Sequence, residues 1–341
     1  MGMGMGKGGY LLLLPLLALA LASWWPPVAN AAELPPGNKP LIRQYYKKLN
    51  TCANAEAFVH HQVQSFWQKD KSLPAQLLKL VYADCMVNGC DASVLLAGPG
   101  TERTAPQNAG LKGFEVIDKI KIVLEDRCPG VVSCADILHL AARDAVHLAG
   151  APSYPVYLGR RDGLDSKAGW VNLPSPSISW DSALAFFQSK GLNVLDMTTL
   201  LGAHSLGRAH CRYIWDRLYN FNNTGKPDPS MKKSFLITMR EQCPRQLKNG
   251  QSDPLIYLDP DSGPNFQFNN TYYSRVLSGE SVLGVDQQLR YGRDTKEITQ
   301  EFAGNQEMFR REFALAMSRM GRIQVLTGTS GEIRRVCSRR N

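Results

Sequence analysis

Eight cysteines constrain the fold of this chain more than any other feature of its sequence. They are Cys52, Cys85, Cys90, Cys128, Cys134, Cys211, Cys243 and Cys337. An even number of cysteines in an exported chain predicts disulfide bonds, and the absence of a paired C-x-x-C motif argues against a zinc site. Sequence alone leaves on the order of a hundred ways to pair eight cysteines. We therefore predict a cross-linked fold whose disulfide partners are still open at this point.

The N-terminus has the pattern of a secretory signal peptide. Lys7 supplies a positive charge, and a short apolar run extends from Leu11 to Ala22. The run is too short to span a bilayer, and Ala29-Asn30-Ala31 offers a cleavage site. An uncleaved anchor is the alternative. We expect a cleaved leader, an N-terminal extension and one domain at residues 1–31, 32–40 and 41–341, respectively.

The formal net charge is +9 at pH 7. A basic surface favours acidic partners, although simple solubility explains the charge equally well. No basic run is interleaved with aromatic residues, so we expect no nucleic-acid partner. We expect no membrane association of the mature protein either, because no second apolar run is long enough to span a bilayer. The triplets Asn222-Asn223-Thr224 and Asn269-Asn270-Thr271 are compatible with N-glycosylation.

The stretch from Leu77 to Leu96 has the composition of a cation site. Cys85 and Cys90 can close a small ring across an Asn88-Gly89 turn. Oxygen donors surround the ring, and Ca²⁺ binds six to eight oxygens. The stretch lacks the alternating ligands and closing glutamate of an EF-hand. The predicted calcium donors are two carboxylates, a hydroxyl and two main-chain carbonyls, from Asp84, Asp91, Ser93, Val87 and Gly89.

This stretch resembles the distal haem-side helix of the plant secretory (class III) haem peroxidases, whose pattern is L-L-R-L-x-F-H-D-C-F-V-x-G-C-D-x-S. The shared positions are Leu77, Leu78, Leu80, Asp84, Cys85, Val87, Gly89, Cys90, Asp91 and Ser93. The distal arginine of the family is Lys79 here, and the distal histidine is Ala83. Tyr82 and Met86 replace the usual phenylalanines. The resemblance therefore implies a divergent member that keeps a calcium loop and lacks the distal histidine and arginine.

A second stretch, from Thr199 to Cys211, resembles the proximal haem motif of the same family. We predict that His204 lies inside an apolar helix there, where a core histidine would be the usual interpretation. The resemblance instead implies that His204 is the axial ligand of the iron in haem b. A ligating histidine needs an acceptor on its other ring nitrogen. Asp286, in a motif that matches the family, is implied as that acceptor.

The resemblance implies roles for further residues. Asn108 would hold the distal histidine that this chain lacks, and Glu102 would support the calcium through water. Pro174 would contact substrates at the rim of the haem access channel. Asp136 would form an ion pair with an arginine of Arg160-Arg161. An ordinary turn asparagine and an ordinary loop proline are the alternatives for Asn108 and Pro174.

A second calcium site of the family is weakened in this sequence. Ser205 replaces a threonine ligand, and Asn269 replaces an aspartate. Asp259 and Asp261 compete for the remaining carboxylate position, and spacing does not decide between them. Because the affinity of a calcium site follows its ligand charge, we expect calcium at the first site and doubt the second.

The resemblance covers Leu41 to Asn341 and implies an all-α fold in two lobes with haem between them. It selects one disulfide pairing: Cys52–Cys128, Cys85–Cys90, Cys134–Cys337 and Cys211–Cys243. Apolar spacing supports the helical class. We predict helices at Ala53–Gln68, Phe114–Arg127, Cys134–Leu148 and Met308–Arg322.

The implied activity is the oxidation of phenolic donors by hydrogen peroxide. Three hypotheses remain open: a peroxidase with impaired peroxide cleavage, a haem-binding protein without turnover, and a working peroxidase in which Lys79 is the substitute base. We expect a secreted, glycosylated monomer in the plant cell wall, next to acidic polysaccharide.

Overall fold

The computed structural model describes residues 1–3, 40–247 and 250–341. The predicted leader and most of the N-terminal extension lie outside the described residues. All the helices and strands that the structure describes fall in one compact unit, residues 36–341. No helix in the described part of the chain is both long and apolar enough to cross a bilayer.

The described chain is mainly α-helical. In chain order its α-helices are α1 (Tyr45–Lys48), α2 (Ala55–Lys69), α3 (Leu73–Cys85), α4 (Phe114–Arg127), α5 (Cys134–Leu148), α6 (Trp180–Ser189), α7 (Val194–Leu201), α8 (Trp215–Tyr219), α9 (Lys233–Gln242), α10 (Thr271–Ser278), α11 (Gly284–Gln288), α12 (Arg293–Gly304) and α13 (Gln306–Met320). Strand β1 (Ile42–Arg43) pairs antiparallel with β2 (Tyr157–Leu158), and β3 (Arg208–His210) pairs with β4 (Leu255–Tyr257). The all-α prediction is confirmed.

The predicted helix bounds agree closely with the observed ones. Helices α4 and α5 match their predictions at both ends, while α2 and α13 are displaced by a residue or two. The start of α5 is fixed by Ser133, whose side-chain oxygen accepts a hydrogen bond from the Asp136 N–H at 3.1 Å. A capping box between Asn193 and Asp196 starts α7.

The helices form two groups that share one continuous apolar core. Helices α2 to α5 pack against one another, and Val59 and Val63 of α2 are fully buried there. In the second group, α7, α10, α12 and α13 pack around aromatic side chains. Phe309 of α13 contacts the ring of Tyr273 of α10 edge-on, with centroids 4.9 Å apart. The aromatic cluster places the end of α7 next to α10, which positions the candidate site.

Four disulfides cross-link the fold with the pairing that the resemblance implied: Cys52–Cys128, Cys85–Cys90, Cys134–Cys337 and Cys211–Cys243. The shortest closes the turn after α3. The longest connects the start of α5 to the C-terminal segment across 203 residues. In the chain-entropy account, long loops gain the most from a cross-link, so this bond restricts the unfolded chain most strongly.

The expected ion pair forms between Asp136 and Arg160, and both side chains are buried. Arg160 Nη1 lies 2.9 Å from Asp136 Oδ1, and the Tyr46 hydroxyl donates to Asp136 Oδ2 at 2.7 Å. Arg160 Nε also donates to the carbonyl of Gly321 at 3.1 Å. This pair joins α1, α5, β2 and the end of α13 in one polar network.

Replacing Arg160 by methionine should destabilise the protein strongly, because Asp136 would remain buried without its cation. We expect Arg160→Met to lower the free energy of unfolding by about 3–5 kcal/mol in urea titrations. Arg293→Met is the matched control, since Arg293 is 92% exposed beside Asp294 and should change stability by no more than about 0.5 kcal/mol. Equal effects of the two substitutions would contradict the role of the buried pair.

Candidate active site

His204 lies just beyond a helix and not inside one, which corrects the sequence prediction. Helix α7 ends at Leu201, and a 3₁₀ turn from Gly202 to Ser205 carries the imidazole. A Cβ on Gly202 would come within 2.3 Å of the Tyr273 hydroxyl oxygen, so the chain passes too close to α10 for a larger residue. Gly207, with φ of +98°, then turns the chain into β3. Strand β3 follows directly and pairs with β4.

The His204 imidazole is held by Asp286. Its Nδ1 lies 2.8 Å from Asp286 Oδ1, and α11 holds that carboxylate in a buried position. A carboxylate only accepts, so the ring proton is on Nδ1. Burial lowers the pKa of His204, but the charge and hydrogen bond of Asp286 outweigh burial and raise the pKa overall. The ring is 30% exposed, and among the described residues Nε2 has no hydrogen-bond partner.

This donor set fits an axial ligand. Metal-bound histidines usually donate their second ring N–H to a carboxylate or carbonyl, which fixes the tautomer and the ring orientation. His204 has that arrangement, with Nδ1–H on Asp286 and the other nitrogen open. The residues present therefore fit a haem iron, as the family resemblance implies.

Sequence reasoning did not find Tyr272 as part of this site. Its hydroxyl donates to Asp286 Oδ1 at 2.8 Å, the same oxygen that accepts from His204. The ring is buried at the start of α10. The Tyr272-Tyr273 pair belongs to a motif that we considered only for calcium, so nothing in the sequence indicated this contact.

Lys79 lies in helix α3 and acts electrostatically on His204. Its positive charge lowers the pKa of His204, which places the two side chains within electrostatic range. Gly207, in the segment after His204, would place a Cβ 3.1 Å from that of Ala75, one turn before Lys79 on α3. Lys79 is exposed to solvent, although neighbouring protein atoms partly desolvate its ammonium group. This desolvation lowers the pKa of Lys79, the neighbouring Tyr213 opposes it, and the charge of Arg212 adds to the lowering.

At the position that the resemblance assigns to a distal histidine, Ala83 presents a buried methyl group. Ala83 is 1% exposed and has no group that exchanges protons. Asn108 is also buried, and its Nδ2 donates to the carbonyl of Glu102 at 2.9 Å. Its Oδ1 is buried and has no hydrogen-bond partner among the described residues. This oxygen can therefore accept a hydrogen bond from an added donor. Such a bond would remove the cost of about 1–3 kcal/mol that an unpaired buried acceptor carries.

The predicted calcium loop brings three carboxylates together in a buried space. Asp84 accepts from the Ala92 N–H at 2.9 Å, and Ser93 Oγ donates to Glu102 Oε2 at 3.2 Å. Burial and the neighbouring charge of Asp91 raise the pKa of Asp84. The pKa of Glu102 rises to about 7, mainly through burial, and its Oε1 has no partner within the described ranges. A divalent cation would neutralise this repulsion, so the residues fit calcium.

The two main-chain carbonyls predicted as calcium ligands both have donors from the protein. Val87 O accepts from Lys190 Nζ at 2.6 Å, because Lys190 at the end of α6 reaches this turn. Gly89 O accepts from the Asp91 N–H at 3.1 Å. Only glycine fits at position 89, since a Cβ would lie 2.5 Å from the carbonyl oxygen of Gln324. A carbonyl has two lone pairs, so these contacts still leave each oxygen able to bind a cation.

The two aspartates that compete for the second calcium site differ in burial and in their partners. Asp259 is buried and accepts from Thr271 Oγ1 at 2.6 Å. Asp261 is 57% exposed and pairs with Arg275 at 3.2 Å. Ser205 Oγ is buried and has no partner in the part of the chain that the structure describes. Of the two candidate aspartates only Asp259 is therefore buried, whereas the first loop contains the buried carboxylates of Asp84 and Glu102 and the half-buried one of Asp91.

The remaining predicted positions lie farther from this chemistry. Pro174 is half-buried in the loop before α6. Asn222 is exposed, whereas Asn269 is half-buried and accepts from the Thr271 N–H at 3.0 Å. Of the two glycosylation triplets, the first is therefore the more accessible.

Comparison with known proteins identifies relatives of the chain. Residues 59–305 match the family model described as peroxidase. The chain is 61% identical over 326 residues to "Probable peroxidase 26" of Arabidopsis thaliana, covering 96% of this chain and 97% of the relative. It is 62% identical to "Probable peroxidase 61" of the same plant, covering 95% of each. "Peroxidase 15" of Ipomoea batatas is 40% identical, covering 96% and 98%, respectively.

The raised pKa of Glu102 predicts how stability changes with pH when no cation is bound. The folded pKa of about 7 exceeds the unfolded value of 4.5, so the folded state binds the proton more tightly. Its contribution to stability is therefore complete below pH 4.5 and is lost as the pH rises through 7. In chelator, the stability difference between wild type and Glu102→Gln should change by about 3 kcal/mol between pH 4.5 and 8. Parallel pH curves from urea unfolding would contradict this.

Proposed function

The chain belongs to the peroxidase family, among the plant class III peroxidases, and from that premise we propose a secreted haem enzyme that oxidises phenolic donors with hydrogen peroxide. We further propose that its peroxide-cleavage step is slow, because Ala83 and Lys79 replace the distal histidine and arginine. The single observation that carries this second part is the buried, unpaired Oδ1 of Asn108.

His204 would hold the iron of haem b through Nε2, and Asp286 would keep the proton on Nδ1. Bound haem supplies the redox chemistry. The carboxylate makes the imidazole a stronger donor by accepting its N–H. Pro174 would contact the organic donor at the rim of the access channel, as the resemblance implies.

Peroxide cleavage needs a base that moves a proton between the two peroxide oxygens and a cation that stabilises the departing charge. A positioned general base contributes about 10²–10⁴ in rate, and one oriented donor about 10²–10³. Ala83 supplies no base. Lys79 keeps the charge of an arginine and loses its planar set of five donors. The two losses do not simply multiply, because groups that act together are not additive.

Asn108 supports this account. By resemblance its side-chain oxygen would accept a hydrogen bond from the ring N–H of the distal histidine, and among the described residues that buried oxygen has no donor. The polar support for a distal histidine thus persists where the histidine itself is absent. The alternative of Lys79 as a substitute base is supported by its lowered pKa, which increases the fraction of neutral amine.

We propose one bound calcium ion, at Asp84, Asp91 and Ser93 with the carbonyls of Val87 and Gly89. The buried carboxylates of Asp84 and Glu102 and the half-buried carboxylate of Asp91, all with raised pKa values, favour a divalent cation there. At the second site Ser205 and Asp259 remain, but only one buried carboxylate is present. The lower charge supports weak or absent binding of a second ion.

Export to the cell wall and attraction to acidic polysaccharide follow from the leader pattern and the net charge of +9. We propose that the protein acts as a monomer.

A haem-binding wall protein without turnover is the second candidate function, and Ala83 favours it because alanine has no proton chemistry.

His204→Ala should abolish stoichiometric haem incorporation, because no other group replaces the open Nε2. The haem content is measured as the ratio of Soret to protein absorbance in the purified secreted protein. A count of free thiols verifies that the disulfides are intact. His210→Ala is the matched control. The His210 ring makes a hydrogen bond with the carbonyl of Asp253, so its removal should leave haem binding unchanged. Full haem retention in His204→Ala would reject the ligand assignment.

Ala83→His should accelerate the reaction with peroxide by roughly 10²–10⁴, equivalent to about 3–5 kcal/mol of barrier. Adding Lys79→Arg should increase the rate further, and more in the double variant than alone, because the arginine assists a cleavage that the histidine begins. Stopped-flow observation of the Soret band after mixing with peroxide measures both rates.

Asn108→Ala provides the control for that gain. In the Ala83→His background it should remove much of the acceleration, because the new imidazole would lose the acceptor that orients it. In the wild-type background it should leave the peroxide rate nearly unchanged. A wild type that already reacts as fast as the double variant would favour Lys79 as the base and contradict the proposed impairment.

A further inference from the structure

One oxygen of Asp286 serves two donors. His204 Nδ1 and the Tyr272 hydroxyl oxygen each lie 2.8 Å from Asp286 Oδ1. All three groups meet at the proximal side of the site, and Asp286 and Tyr272 are 2% and 3% exposed. Water therefore does not compete for this oxygen, and the two donors share it directly.

Sharing the oxygen weakens the hydrogen bond that Asp286 accepts from His204. A carboxylate oxygen that accepts a second hydrogen bond has part of its negative charge stabilised there, and it becomes a poorer acceptor for the first donor. A weaker acceptor draws less on the Nδ1 proton, so the ring has less imidazolate character at Nε2. In buried surroundings such effects are larger than in water.

We propose that Tyr272 is a positioning residue that limits the electron donation of His204 to the bound iron by sharing Asp286 Oδ1. This inference rests on the proposed ligation of haem by His204. It adds a third member to the proximal pair, and it sets the reduction potential above the value that His204 and Asp286 would give alone.

The surroundings keep Tyr272 in its role as a donor. Burial, then the charge of Asp286, raises the pKa of Tyr272, so the hydroxyl keeps its proton. The ring packs edge-on against Tyr273 with centroids 4.9 Å apart, at the start of α10. Tyr273 in turn donates to the carbonyl of Thr198 at 3.1 Å, and so fixes α10 to the end of α7.

The experiment compares Tyr272→Phe with Tyr273→Phe in the full-length haem protein. Both remove one buried hydroxyl from neighbouring residues, but the Tyr272 hydroxyl donates to Asp286 whereas the Tyr273 hydroxyl donates to the carbonyl of Thr198. In Tyr272→Phe the ratio of ferric to ferrous protein at a fixed potential should rise about tenfold, a decrease of about 59 mV in a one-electron potential. The iron–histidine stretching frequency should rise with it. Tyr273→Phe should change neither readout.

An unchanged potential in Tyr272→Phe, or the same change in both variants, would overturn the inference while leaving the peroxidase proposal intact. A purified wild type without a Soret band would instead overturn the haem proposal. In that case the Nδ1 proton resonance of His204 tests the inference without haem. It should move downfield in Tyr272→Phe and stay in place in Tyr273→Phe, and a resonance that does not move would reject the shared oxygen.

Discussion

Buried negative charge is the constraint on which the polar part of this structure depends. Taking a carboxylate out of water costs several kcal/mol unless donors or a cation compensate it. Asp136 is compensated by Arg160, and Asp228 is compensated in the same way by Arg217 at 2.8 Å. Asp286 is compensated by two donors, and no lysine or arginine in the described part of the chain forms an ion pair with it.

The carboxylates of the loop after α3 are subject to the same constraint, but among the described residues none of them forms an ion pair, and the charge of buried Arg334 only partly offsets the raised pKa values of Asp91 and Glu102. These carboxylates repel one another, and the pKa of each is raised. Lys190 lies close by but donates to a carbonyl, and no described cation forms an ion pair with Asp84 or Glu102. The fold thus keeps a place where an added positive charge would stabilise the native state, whereas the second candidate place keeps a single buried carboxylate.

The helical class, the disulfide pairing and the bounds of α4 and α5 could be predicted from sequence. Apolar spacing gave the helices, and the family pattern gave the cysteine partners. The end of α7 could not be predicted, because it depends on the pairing of β3 with β4 and on the close approach of Gly202 to Tyr273. Tyr272 was missed for a similar reason, since its contact with Asp286 joins residues from two helices. The roles of Lys79, Ala83 and Asn108 remain predictions.

The connection between Cys134 and Cys337 has a consequence for how the protein matures. The two sulfurs are separated by 203 residues, so Cys134 waits as a thiol while the rest of the chain is made. At about 5–20 residues per second, synthesis of that length takes roughly 10–40 s. During this interval Cys128, six positions earlier and already available, is a nearby wrong partner. A bond between Cys128 and Cys134 would leave both Cys52 and Cys337 without their native partners, so it would have to exchange before the observed pairing could form.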